Sequence, residues 1–148
     1  MVILKVYDCF TFYNELELLE LRLKSFYNIV DYFVIVEATR TQNNLPKKLY
    51  FEENKAAFAQ FFPKIRHIIF QAESVPYTGV GDWSIEVSQR NAIMAGLKDA
   101  EPEDLVFISD LDEFPSIDIL YRIYNHQEDT RMFSQYPPPP PSRKSFLF

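Results

Sequence analysis

Two carboxylates spaced i, i+2, Asp110 and Asp112, follow the apolar run Leu105-Val106-Phe107-Ile108 and Ser109. If the backbone stays extended there, both side chains leave the same side of the chain. Hard divalent cations such as Mn²⁺ or Mg²⁺ prefer oxygen ligands and are commonly shared between carboxylates and substrate phosphates. The spacing therefore suits a metal that bridges Asp110 and Asp112 to a diphosphate. Glu113 adds a third acid, and carboxylates this crowded repel unless a cation or a basic group compensates. The plain alternative is an acidic turn, because Asp-x-Asp also arises by chance.

Other polar residues stand where chemistry is possible. Glu37 ends the apolar run Tyr32-Phe33-Val34-Ile35-Val36; it can accept hydrogen bonds from a ligand, or cap a helix or pair with a base. Arg90, in Gln89-Arg90-Asn91, has a guanidinium fork for phosphate oxygens or for an Asp of the pair, or for a staple between helix and sheet. Trp83 can stack on a sugar ring or simply pack. His67 has no second His nearby and belongs with packing, not metal. Asn14 is expected to cap a helix, with Glu15 and Glu17 in its first turn.

The elements that must position these residues are set by periodicity. Residues 2–10 alternate and are rich in β-formers, which predicts a first strand. Leu16, Leu19, Leu23 and Phe26 recur at helical steps and should face the core. Tyr32 to Glu37 suits a strand covered on both faces. Residues 52–62 are expected to be helical, with Phe58, Phe61 and Phe62 buried, and Ile65 to Phe70 forms a third strand. A long connection from Gln71 to Gly81 precedes a helix over 85–97. Leu105 to Ser109 is the fourth strand, and a helix runs from Pro115 and Ser116 to about His126. Strands alternating with helices predict an α/β sandwich with a mostly parallel central sheet, whose ligands gather beyond the carboxyl ends of the strands. Those ends hold residues 8–12, Glu37, residues 71–73 and residues 110–113.

Composition narrows the class. The 148 residues include 14 Phe and 9 Tyr but only 3 Gly, so a buried core is expected and a glycine-turned propeller or jelly roll is not. A net charge of −6 argues against a nucleic-acid partner, since phosphate backbones are met by clustered Lys and Arg. The basic pairs Lys47-Lys48, Lys64-Arg66 and Arg143-Lys144 are expected to be solvated surface. One cysteine, Cys9, allows no internal disulfide, and no early apolar run is long enough to cross a membrane; the chain as written is expected to be cytoplasmic. Pro137 to Pro141 favour an extended polyproline tail over helix or central strand. The expected division is residues 1–133 as the domain and 134–148 as the Pro-rich tail.

Several separate blocks closely resemble glycosyltransferase family 17. They are the stretch Lys5-Val6-Tyr7-Asp8-Cys9-Phe10-Thr11-Phe12-Tyr13-Asn14-Glu15, the stretch Val30-Asp31-Tyr32-Phe33-Val34-Ile35-Val36-Glu37, Lys64-Ile65-Arg66-His67-Ile68, Gln89-Arg90-Asn91-Ala92-Ile93 and Ile108-Ser109-Asp110-Leu111-Asp112-Glu113-Phe114-Pro115. The family includes the β-1,4-mannosyl-glycoprotein β-1,4-N-acetylglucosaminyltransferase. The resemblance implies a GT-A-type, Rossmann-like three-layer sandwich. It also implies UDP-N-acetylglucosamine as donor, a carbohydrate acceptor, a divalent metal (usually Mn²⁺, or Mg²⁺) and inversion at the anomeric carbon. The family's Asp-x-Asp falls on Asp110 and Asp112 as metal ligands. Donor contacts are then expected from Phe10, Glu37, Arg90 and Asp110. Eukaryotic family members are Golgi membrane proteins. Family members are also longer, and the acceptor site and catalytic base of such enzymes usually come from the later half, so the base is expected to be missing here. Two readings compete with this one: a shortened, non-catalytic domain that binds a nucleotide sugar, and a haloacid-dehalogenase-like phosphohydrolase. The latter expects Thr or Val where Phe114 stands, and an early motif.

Overall fold

The structure is a computed structural model that describes residues 4–125 and 146–147. Five strands, β1 (Val6–Phe12), β2 (Tyr32–Ala38), β3 (Ile65–Phe70), β4 (Leu105–Ile108) and β5 (Phe146–Leu147), form one sheet in the order β3-β2-β1-β4-β5. Among the described residues, every pairing between these strands is parallel. The helices are α1 (Leu16–Phe26), α2 (Tyr50–Asn54), α3 (Ser84–Asn91) and α4 (Ile117–Asn125), with 3₁₀ turns at Lys55–Lys64, Ala72–Ser74 and Ala92–Leu97. This is the expected Rossmann-like, three-layer α/β sandwich of the GT-A type.

Strand alternation builds the layers. Even-numbered β1 residues Val6, Phe10 and Phe12 meet Leu19, Leu23 and Phe26 of α1, together with Phe33 and Ile35 of β2. The odd-numbered Tyr7 and Cys9 join Val34, Val36 and Val106 against Ile93 and Leu97 on the opposite face. Both faces are covered, so β1 and β2 are buried along almost their whole length. Close packing on the second face requires Gly96: a Cβ there would lie 2.5 Å from Val34 Cγ1 and 2.9 Å from Val34 Cγ2.

The chain steps outward from β1 to β2 to β3, then returns to place β4 on the other side of β1. The direction of winding therefore reverses between β1 and β4. Such a switch leaves a crevice beyond the carboxyl ends of those two strands. Residues 11–13 and 109–112 lie at that crevice.

Some expectations need correction. The first strand begins at Val6 and runs to Phe12, because its register is set by pairing Tyr7 with Tyr32 and Phe12 with Glu37. Asn14 does not cap α1; the cap position is Glu15, with no side-chain capping bond, and the Glu15 carboxylate instead accepts the Asn14 N–H at 3.0 Å. The helices expected over 52–62 and 85–97 both tighten into 3₁₀ turns. At three residues per turn, Phe58 and Phe61 share a face, so both are buried while Phe62 is turned out to solvent. Lys64 and Arg66 are not idle surface charges. Lys64 Nζ donates to the carbonyls of Tyr27 and Val30 at 2.5 and 2.8 Å, and Arg66 forks onto Asp99 with its guanidinium carbon 3.7 Å from the Tyr32 ring centroid. The helix expected to run to about His126 is described over Ile117–Asn125. His126, Phe133 and Pro137 to Pro141 lie outside the described residues, as does Arg143-Lys144. Phe146 and Leu147, counted with the tail, pair with Val106 and Phe107 and so extend the sheet. Among the described residues, no helix is long and apolar enough to cross a membrane.

Candidate functional site

After Ile108 the chain stops being a strand. The Ser109 N–H still reaches the Cys9 carbonyl at 3.2 Å, but the Glu113 N–H then folds back onto the Asp110 carbonyl at 3.0 Å. Asp112 therefore lies in a turn and not in extended backbone, as strand alternation would have had it. Leu111, between the two acids, is buried among the α1-side core residues and pins the turn to the body of the fold. Asp110 and Asp112 are both exposed and both line one cleft of about 630 Å³. The pair thus shares a cleft, although by a turn around a buried leucine.

The rest of the cleft comes from three places. Thr11 and Phe12 at the carboxyl end of β1, with the adjoining Tyr13, form one wall, and Gln89 comes from α3. Most residues of the loop from Arg40 to Lys47 complete the lining. That loop is tied by Thr41 N–H to Leu45 O at 2.8 Å, Asn44 N–H to Thr41 O at 2.9 Å and Arg40 Nη1 to Asn44 O at 2.9 Å. Asn44 takes the left-handed backbone (φ 60°), which Asn tolerates better than most residues. Gln89 Nε2 donates to the Val36 carbonyl at 3.0 Å, which fastens α3 to the end of β2.

The cleft carries both signs of charge. Arg40 and Lys47 line it together with Asp110, Asp112 and Glu15. Lys47 Nζ sits 5.1 Å from the Tyr13 ring centroid and 5.9 Å from that of Tyr50. Burial lowers the Lys47 pKa, and the nearby charges of Glu37 and Glu15 oppose that shift. A partly desolvated ammonium beside two aromatic faces attracts an anionic, ring-bearing ligand more strongly than a fully solvated one would.

Arg90 and Asp110 come together as one of the anticipated arrangements. Arg90 Nη2 lies 2.7 Å from Asp110 Oδ1, and 3.7 Å from Glu86 Oε1 on the preceding helical turn. The other Glu86 oxygen is buried without a hydrogen-bond partner. Glu113 Oε2 accepts the Asp110 N–H at 3.0 Å, so the third acid braces the turn.

Phe10 and Glu37 do not reach the cleft. Phe10 is fully buried in the α1-side core. The Glu37 carboxylate is also fully buried and takes three donors: the N–H groups of Phe51 (2.8 Å) and Glu52 (3.2 Å), and His67 Nε2 (2.8 Å). It anchors the start of α2 and has no oxygen facing a ligand. His67 is its partner in that anchor. Trp83 is 63% exposed and does not line the cleft, so it is neither core packing nor a wall of the site.

Arg22 lies outside every block that carries the resemblance and Asp8 has no role of its own there, yet the structure sets both at the site. Arg22 sits on the apolar stripe of α1, between Leu19 and Leu23, and forms a buried pair with Asp8 of β1 directly beneath the 109–113 turn. A charged residue at each of two core positions, one on a helix and one on a strand, is the signal the sequence offers for them.

Whether the site fits a divalent cation can be judged from its donors. Among the described residues, no group of three or more His, Cys, Asp and Glu converges to hold a metal unaided. Two exposed carboxylates on an open cleft suit instead a cation completed by oxygens of a bound ligand and by water, which is the usual way Mg²⁺ and similar ions are held beside phosphates. The residues fit that role.

A family model described as glycosyltransferase family 17 matches residues 2–130. No curated protein and no solved structure gives a significant match to the chain.

Proposed function

Because the chain belongs to glycosyltransferase family 17, with most of its length matched, we propose that its cleft binds UDP-N-acetylglucosamine with Mn²⁺ or Mg²⁺ and passes the sugar to an acceptor hydroxyl with inversion. The observation that carries this reading is the pair Asp110 and Asp112 on the wall of a cleft at the switch between β1 and β4. A cleft of about 630 Å³ is within the range of pockets that take ligands the size of a nucleotide sugar.

In this reading Asp110 and Asp112 would hold the cation, which would supply Lewis-acid stabilisation of negative charge on a departing diphosphate. Arg90 does not itself line the cleft, but its pairing with Asp110 would bring its positive charge close to a diphosphate held there. Tyr13, Arg40 and Lys47 offer a ring face and positive charge to the nucleoside diphosphate. The acceptor oxygen attacks the anomeric carbon as the bond to the β-phosphate oxygen breaks, and the acceptor proton goes to a carboxylate base. That base is unassigned. Among the described residues, the carboxylates lining the cleft are Glu15, Asp110 and Asp112, and Glu113 is engaged with the Asp110 amide.

The test is incubation with UDP-N-acetylglucosamine, Mn²⁺ and a panel of carbohydrate acceptors. UDP release with a β-linked product, identified by NMR, is the expected result. Donor binding without UDP release selects a nucleotide-sugar-binding domain that does not transfer. A phosphorylated Asp110 in place of glycosyl transfer would revive the phosphohydrolase reading.

A further inference from the structure

We infer that Arg22 is the positioning residue of the Asp110–Asp112 pair: from beneath, its guanidinium fixes the turn on which both carboxylates stand. The inference rests on the reading of that pair as a cation site, and extends it to a residue that touches no ligand.

Arg22 is fully buried. Nε and Nη2 fork onto Asp8 at 2.9 and 2.7 Å, and Nη2 also donates to Ser109 Oγ at 2.7 Å. Nη1 donates to the carbonyls of Asp110, Leu111 and Glu113, each at 2.9 Å. Its guanidinium carbon lies 4.8 Å from the Phe10 ring centroid and 5.5 Å from that of Phe114. A guanidinium has five N–H donors; here they serve six acceptors, four of them in the 109–113 turn.

The fork onto Asp8 uses two of the five N–H groups, and a fully buried guanidinium must place the other three as well. This one directs half of its contacts to backbone carbonyls of the carboxylate-bearing turn. Drawing the Asp110, Leu111 and Glu113 carbonyls inward leaves the turn one low-energy path, with Leu111 inside and both acids on the cleft. Lysine cannot reproduce the arrangement, because three donors on one nitrogen cannot fork onto Asp8 and also reach three separate carbonyls. Partners that orient metal ligands from behind typically matter about 10–100-fold in metal affinity.

The experiment compares the wild-type chain with Arg22→Lys and with the double variant Asp8→Leu/Arg22→Met. The double variant removes both buried charges together, a replacement that commonly preserves folding. Three quantities are measured: thermal unfolding, Mn²⁺ affinity by electron paramagnetic resonance, and amide hydrogen exchange. Expected is a cooperative melt in at least one variant, with Mn²⁺ affinity down about tenfold or more and faster exchange across residues 110–113 while β1 stays protected. A folded variant with wild-type Mn²⁺ affinity overturns the inference. So does unchanged exchange at residues 110–113, a result that stands even if the wild-type chain binds no Mn²⁺. Failure of the wild-type chain to bind Mn²⁺ would instead count against the cation-site reading.

Discussion

Glu37→Gln separates a structural anchor from a donor contact. In the native arrangement Oε1 accepts the Phe51 N–H, while Oε2 accepts the Glu52 N–H and His67 Nε2. A glutamine amide can replace only one of these oxygens. Whichever way it turns, its NH₂ faces a backbone N–H of α2, and a donor meets a donor. Hydrogen bonds to a buried charged group contribute about 1.5–3 kcal/mol each, and a stranded buried donor costs about 1–3 kcal/mol. Since some relaxation is available at α2, a loss of about 2–4 kcal/mol is expected, or about 4–16 °C in Tm for a chain of this size. Urea denaturation and thermal melting measure it, and calorimetric titration with UDP measures binding. The folded variant should keep UDP affinity within about threefold, less than 1 kcal/mol. Unchanged stability, or a normally stable variant that no longer binds UDP, would refute the placement of Glu37 as an anchor.

Further outcomes are set by the packing and the charges. Gly96→Ala should lose about 1–3 kcal/mol in urea denaturation, the usual cost of overpacking, since the new methyl meets Val34 at 2.5 Å; a neutral result would show that this face is loosely packed. The Arg66 guanidinium holds the Asp99 carboxyl down at about 2, below its ordinary 3.8. A depressed folded pKa gives stability that is present above the unfolded value and lost as pH falls toward the folded one. Asp99→Asn should therefore flatten the acid side of the stability profile between about pH 4 and pH 2, as followed by denaturation at stepped pH. Arg90 and Asp110 are about 40% and 52% exposed, and such pairs contribute about 0.2–1 kcal/mol. Arg90→Ala should thus let Mn²⁺ alone bind up to about fivefold tighter, while UDP-N-acetylglucosamine binds more weakly in the presence of Mn²⁺. A weaker grip on Mn²⁺ alone would mean that Arg90 does not compete for Asp110.

The sheet is legible in the sequence because its strands are apolar runs bounded by polar segments: Ile65 to Phe70 matches to the residue, and Tyr32 to Glu37 falls within one residue of the observed end. Strand order is not, since β4 joins the far side of β1 by contacts that no local pattern records. The 3₁₀ turns escape for a related reason. Phe58, Phe61 and Phe62 fit a helical period of 3.6, and only the tighter turn decides that Phe62 faces water. At the site, Asp110 and Asp112 announce themselves by type and spacing. Glu37 looks equally open to chemistry, but a carboxylate at a strand end serves a helix start or a ligand alike, and the chain's return through Phe51 and Glu52 decides between them. Lys64 and Arg66 look like surface because their acceptors, the Tyr27 and Val30 carbonyls and Asp99, are distant in sequence. Arg22 is hidden by the same long-range logic, as its acceptors lie near residues 8 and 110.

A divalent cation shared between Asp110, Asp112 and a diphosphate is the claim on which the proposed chemistry depends. Calorimetric titration of UDP into the wild-type chain and into Asp112→Ala, each with and without Mn²⁺, tests it most directly. Tight binding is predicted only for the wild-type chain with Mn²⁺, and it should be lost on either change. Equal UDP affinity in all four titrations would contradict the claim.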